Sequence, residues 1–250
     1  VNQPQRGHFR TYLGGLLGQS TRKNIAVIAA SSVGASYFNL HHFLHDAPWN
    51  AQALNDRRID LIWHTRQTRP AADFNLIIDD SGHRKSGSST EGVGRQYLGQ
   101  IRKVDNGIRT VTIQFNAPTF EEASDICYFL SNESEDIATA EWMARSYSRR
   151  NWIEVFYREV KGWLGMTDYQ VRDLKSIERH WHLAFIAFTF LACQRWTGGL
   201  QGKYSKWPVS SFGDAFRVFN HVLECLMLRW IPKNLKLFAA HRANQGLIFS

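Results

Sequence analysis

FNLIIDDSG, residues 74–82, is where the chain changes its period. A short apolar run meets two aspartates and closes on Ser-Gly, which reads as a buried strand ending at a polar turn. The stretch that follows, HRKSGSSTEGVGRQY (83–97), is rich in Gly and Ser and reads as a loop. Its glycines lack the GxxxxGK[ST] spacing, so a P-loop is excluded. RTVTIQFN (109–116) alternates as a strand, NAPTFEEASD (116–125) opens a turn and a short helix, and ICYFLSN (126–132) is a further strand candidate. A small strand cluster between helical stretches predicts a mixed α/β core.

Residues 1–70 read as helical and basic. TRKNIAVIAASS (21–32) predicts one helix closed by SVGAS, and NAQALNDRRIDLIWHTRQTR (50–69) a second that starts after Pro48. NLHHFLHDAPW (39–49) lies between them. Its His41, His42 and His45 have only Asp46 as a nearby acid and no cysteine, which favours packing or DNA-facing histidines over a metal site. Short basic helices with Gly- and Pro-marked turns suit a DNA-binding module; a plain helical cap fits as well. From Ser134 onward the chain reads as helical through EWMARS (141–146), WHLAFIAFTFLAC (181–193) and AFRVFNHVLECLMLRWI (215–231).

Composition bounds the partners. Thirty Lys and Arg stand against 22 Asp and Glu, a formal charge of +8 on 250 residues. The basic residues are spread through folded segments, which points to nucleic acid before membrane. Cys127, Cys193 and Cys225 are odd in number and far apart, so neither a disulfide framework nor a zinc site is expected, and a reducing compartment is. The longest apolar run, residues 183–193, is too short to span a bilayer. The first residue is Val, so the natural N-terminus is expected to lie upstream.

The second informative stretch is YSRRNWIEVFYREVKGWLG, residues 147–165. At about 100° per residue, Tyr147, Arg150, Glu154 and Lys161 project from one stripe about 60° wide. Trp152, Phe156, Val160 and Trp163 fall on the opposite side, with Ile153 and Leu164 just beyond. A solvated face would explain the charges but has no need of a tyrosine or of one acid between bases. A carboxylate at a strand end brought against Glu154 would make an oxygen pair suited to Mg²⁺. Asp79 and Asp80 are adjacent and leave opposite faces of their strand, so one of them can enter a given site.

The spacing Tyr147-x2-Arg150-x3-Glu154-x6-Lys161 resembles the Y-R-E-K signature of DDE-type insertion-sequence transposases, whose catalytic domain is RNase H-like. FNLIIDDSGHRKSG is similar to the segment around that family's first catalytic acid, and the likeness extends to GVGRQYLG, KVDNG, YQVRDLKSIERHWHL, RKN and NLHHFLHDAPW. The resemblance implies Asp80 and Glu154 as catalytic, metal-holding acids and Tyr147, Arg150 and Lys161 as DNA contacts. It also implies Mg²⁺ or Mn²⁺ as cofactor, double-stranded transposon-end and target DNA as partner, a homodimer, no membrane, and a cytoplasmic, nucleoid-associated setting. The domains expected are a helical DNA-binding domain over 1–70 and an RNase H-like catalytic domain over 71–250.

One part of that pattern is absent. The family uses three acids, yet only 74 positions separate Asp80 from Glu154. Asp105, Asp125 and Asp136 are the candidates for the second acid, and none follows an apolar strand. The expectation is an internal deletion near 108–113 and an incomplete sheet. The alternative function is then a DNA-binding remnant without cleavage; a basic helical DNA binder unrelated to transposases is the third reading.

Overall fold

The computed structural model describes residues 3–70, 75–99, 101–116, 139–199 and 203–245. The architecture is mixed α/β: eight helices and a three-stranded antiparallel sheet among the described residues, an incomplete sheet consistent with an RNase H-like fold. The helices are α1 (Gln3–Leu17), α2 (Ile25–Ser31), α3 (Tyr37–His45), α4 (Ala51–His64), α5 (Ala140–Leu164), α6 (Leu174–Thr197), α7 (Phe212–Trp230) and α8 (Leu235–Asn244). The strands are β1 (Asn75–Arg84), β2 (Gly94–Leu98) and β3 (Lys103–Asn116). Two compact units result: Val1–Leu61 with Ser89–Gly92 and Glu159–Ser250, and Ile62–Ser88 with Val93–Arg158.

In the helical unit, the N-terminal helices pack with the C-terminal ones. Tyr12 and Leu16 of α1, Ile28 of α2, Phe43 and Leu44 of α3, and Ile177, Leu183 and Ala187 of α6 are all fully buried or nearly so. Helix starts are fixed locally. The Asn24 side chain accepts from the Val27 amide, Asp173 from Ser176, and Ser211 and Asp214 form a capping box on α7. At the centre, the Tyr12 hydroxyl lies 2.8 Å from His180 Nδ1, and His180 Nε2 lies 3.0 Å from the Gly165 carbonyl. A carbonyl only accepts, so Nε2 carries the proton and Nδ1 accepts from Tyr12. Gly165 has φ +63°, and a Cβ there would meet Lys23 Cβ at 2.3 Å, so only glycine serves.

In the sheet unit the order is β1-β3-β2. β1 pairs with β3 from Asn75 opposite Asn116 to Arg84 opposite Gly107. The strand therefore continues through Ser81 and Gly82 where a turn was expected, because β3 offers a partner for every residue as far as Arg84. The expected loop after residue 83 contains β2, paired with β3 from Gly94 opposite Gly107 to Leu98 opposite Lys103. β3 itself starts six residues earlier than the alternation in RTVTIQFN indicated, taking in KVDNG, and runs unbroken through 108–113. Glycine explains the extension: a Cβ at Gly82 would meet Leu98 Cδ2 at 2.6 Å, and one at Gly107 would meet it at 2.8 Å. Leu98 is seated on both. The helix and strand expected within 116–132 lie outside the described residues.

Alternation along the strands gives the sheet two unlike faces. Asp79, Ser81 and His83 share one with Thr112, Thr110 and Ile108, and all of these but Asp79 are buried. Ile78, Asp80, Gly82 and Arg84 share the other with Val111, Arg109, Gly107 and Asp105; Ile78 and Val111 are exposed there.

Candidate functional site

The two aspartates of β1 are separated by the sheet. Asp80 opposes Val111 and its carboxylate lies 2.8 Å from the Arg109 guanidinium, both side chains about half exposed. Asp79 opposes Thr112 on the buried face.

Helix α5 meets that buried face. The Tyr157 hydroxyl donates to the Asp79 carbonyl at 3.3 Å. Burial raises the Tyr157 pKa above its ordinary value, the Thr112 hydroxyl opposes the rise, and the charges of Asp79 and Asp80 add to it. α5 thus crosses β1 at its acids, on the side to which Asp79 points. Ile153, Phe156, Tyr157, Val160 and Leu164 form the buried arc of the helix, with Trp152 and Trp163 half-buried at its margin. The buried face is accordingly turned from the aromatic side read in the sequence toward Tyr157. Glu154, one turn before Tyr157 and about 60° round the helix, is exposed.

The remaining expected site residues divide as follows. Tyr147 and Arg150 lie within α5, but their side chains are outside the described part of the structure. Lys161 is half-buried in the helical unit, where it lines a cleft of about 390 Å³ with Lys23, Trp163, Asp168 and Arg217. Asp105 shares the Asp80 face, but six residues along β3 from the residue opposite Asp80, about 20 Å at strand rise. Arg84 at 2.9 Å and Lys103 at 3.9 Å hold it there, and with the Asn106 amide as the largest cause they keep its pKa below the usual carboxylate range. Asp125 and Asp136 lie outside the described residues. Among those that are described, no group of three His, Cys, Asp or Glu is arranged to hold a metal ion. That includes His41, His42 and His45: His45 is 2.6 Å and His42 3.3 Å from the Asp46 carboxylate, and the His41 ring stacks on His45.

Two residues of this site escaped the sequence reading. In the sequence Arg109 reads only as the start of a strand; its pairing with Asp80 depends on the β1–β3 register. Tyr157 lies about 80° from Tyr147 but only about 20° past the Arg150 edge of the stripe, on the border between the polar and apolar sides, where helical spacing alone does not assign it to the sheet.

Comparison with known proteins adds the family. The profile described as DDE superfamily endonuclease matches residues 2–133, more than half of the chain. A probable transposase for insertion sequence element IS701 from Microchaete diplosiphon is 39 % identical over 99 residues, covering 40 % of this chain. The matched part spans 25 % of that relative's length. No solved structure matches this one. No described helix is long and apolar enough to cross a membrane.

Proposed function

We propose that this chain, which belongs to the DDE superfamily endonucleases, is an insertion-sequence transposase polypeptide that binds the DNA ends of its element. The observation that carries the reading is the Tyr157–Asp79 hydrogen bond, which joins the glutamate-bearing helix to the strand with paired aspartates. A profile covering the N-terminal helices and β1 to β3, and a formal charge of +8, support a DNA partner.

The family uses divalent metal ions. The oxygen donors present suit Mg²⁺ or Mn²⁺ in kind, but one β1 aspartate with Glu154 is a short set, and no third acid joins them among the described residues. The sequence match favours Asp80 as the strand acid, whereas Asp79 leaves β1 on the face that α5 covers. When bound, the metal would activate a water and steady a leaving 3′ oxygen. Tyr147, Arg150 and Lys161 would hold backbone phosphates by charge-assisted and neutral hydrogen bonds, positioning the duplex without reading its sequence. Residues 1–70 would supply a helical DNA-binding domain and 71–250 the catalytic one, two copies would pair two ends, and the working place would be the nucleoid in the cytoplasm.

The pairing of Asp80 with Arg109 favours a second reading for catalysis, a DNA-binding derivative without cleavage. Gel shifts and nicking of a supercoiled plasmid in Mn²⁺ separate the two. The expected result is DNA binding that weakens steeply with salt, with little or no nicking. Strong nicking abolished by Glu154→Gln and by Asp79→Asn or Asp80→Asn would establish the complete enzyme instead.

A further inference from the structure

The helical unit carries a groove of about 730 Å³ that the acids and the Tyr147–Lys161 stripe do not explain. One wall is α7, where His221, Cys225 and Arg229 follow one another at four-residue intervals and therefore line one side of the helix. The other wall is the turn before α7, with Lys203, Tyr204 and Lys206. That turn is shaped locally: the Ser205 hydroxyl donates to the Trp207 carbonyl at 2.8 Å. The Lys203 ammonium lies 5.2 Å from the centre of the Tyr204 ring, and Trp207, next to Lys206, is 79 % exposed.

No acid lines the groove among the described residues. The nearest carboxylate on α7, Glu224, accepts from the Gln19 side chain at 3.3 Å and lies 3.9 Å from His221 Nδ1. Three permanent cations thus face one concavity with an aromatic ring beside them. From His221 to Arg229 the wall is about 12 Å long, over which one strand of DNA carries three to four phosphates. A positive channel with aromatic rims fits a nucleic-acid backbone far better than a neutral small molecule.

We propose that this groove is a second DNA-backbone contact, seating phosphates of the bound duplex on Lys203, Lys206 and Arg229. The proposal rests on the DNA-binding reading above and deepens it by giving the helical unit its own footprint. Contacts of this kind position the duplex and carry no sequence information.

Cys225 lines the groove and reports on it directly. The parent chain is treated with N-ethylmaleimide, with and without a 30-base-pair duplex at low salt, and Cys225 alkylation is followed by peptide mass spectrometry. Affinity is measured against salt for the parent and for Lys203→Gln/Lys206→Gln/Arg229→Gln. DNA is expected to slow Cys225 alkylation several-fold. The triple variant should bind about tenfold or more weakly at low salt, and its log–log salt slope should be shallower by about 2 to 3. Unchanged alkylation and slope in a parent that does bind DNA would overturn the groove and leave the functional reading standing. A parent that fails to retain duplex even at low salt would overturn both.

Discussion

Arg109 and Asp80 pair at 2.8 Å on the face of the sheet opposite to Thr112 and Tyr157. The guanidinium engages one Asp80 oxygen and sets a positive charge beside it, which competes with any cation at that carboxylate. Asp79, one residue earlier, points to the helix-covered face, and among the described residues no cation pairs with it. Both members of the Asp80–Arg109 pair are about half exposed, so solvent screens it and its share of stability is small. Asp80→Asn and Arg109→Met are each expected to change unfolding free energy by less than about 1 kcal/mol in urea. Any Mn²⁺ binding followed by electron paramagnetic resonance should be lost in Asp79→Asn and kept in Asp80→Asn. The reverse order, with tighter binding in Arg109→Met, would assign the metal to Asp80.

The period change at residues 74–82 and the alternation in 109–116 were enough to find β1 and most of β3, because both are signals within a strand. Their pairing was not legible. The register that puts Arg109 beside Asp80 depends on Gly82 and Gly107 yielding space to Leu98, three residues scattered over 26 positions. Local Gly and Ser content made residues 83–97 look like a loop throughout, yet β2 forms there because β3 extends back to Lys103 and supplies the partner. In α5 the apolar spacing revealed a helix with a buried side. Which part of that side meets β1 was decided by Tyr157, whose hydroxyl needs an acceptor once buried and finds the Asp79 carbonyl.

Arg179 is 4 % exposed and ties α6 to the end of α3. Its Nη1 donates to the Leu44 carbonyl at 2.8 Å and the His45 carbonyl at 3.3 Å, and its Nη2 to Ala47 at 2.8 Å and to Trp49. The guanidinium also lies 4.5 Å from the centre of the Trp49 ring. A planar fork reaches four carbonyls and an aromatic face at once, which an ammonium cannot do. Arg179→Met would leave several buried carbonyls without this donor, at about 1–3 kcal/mol each. A loss above about 3 kcal/mol is expected in urea denaturation, a large fraction of a domain's stability. Arg179→Lys should fall between parent and Met. A Met variant within 1 kcal/mol of the parent would contradict this account of the α3–α6 junction.

Lys23 gives the helical unit a pH dependence of defined sign. The residue is 4 % exposed, its ammonium donates to the Gly18 carbonyl, and it lies 5.6 Å from the centre of the Phe216 ring. Burial pulls its pKa down to about 8, with the Asp168 carboxylate opposing the shift. The unfolded chain keeps the ordinary value of 10.5. Between those two values the unfolded state binds the extra proton, so unfolding free energy rises with pH across that window and is flat below it. The fall from 10.5 to about 8 sets an upper bound of about 3 kcal/mol on the gain. Lys85 is lowered to about 8 as well, so the diagnostic quantity is the difference between the parent and Lys23→Met, from which the Lys85 contribution cancels. Relative to that variant, the parent should gain about 1–3 kcal/mol between pH 8 and pH 10.5 in urea titrations. A difference that stays constant over the window would mean that Lys23 keeps its ordinary proton affinity in the folded chain.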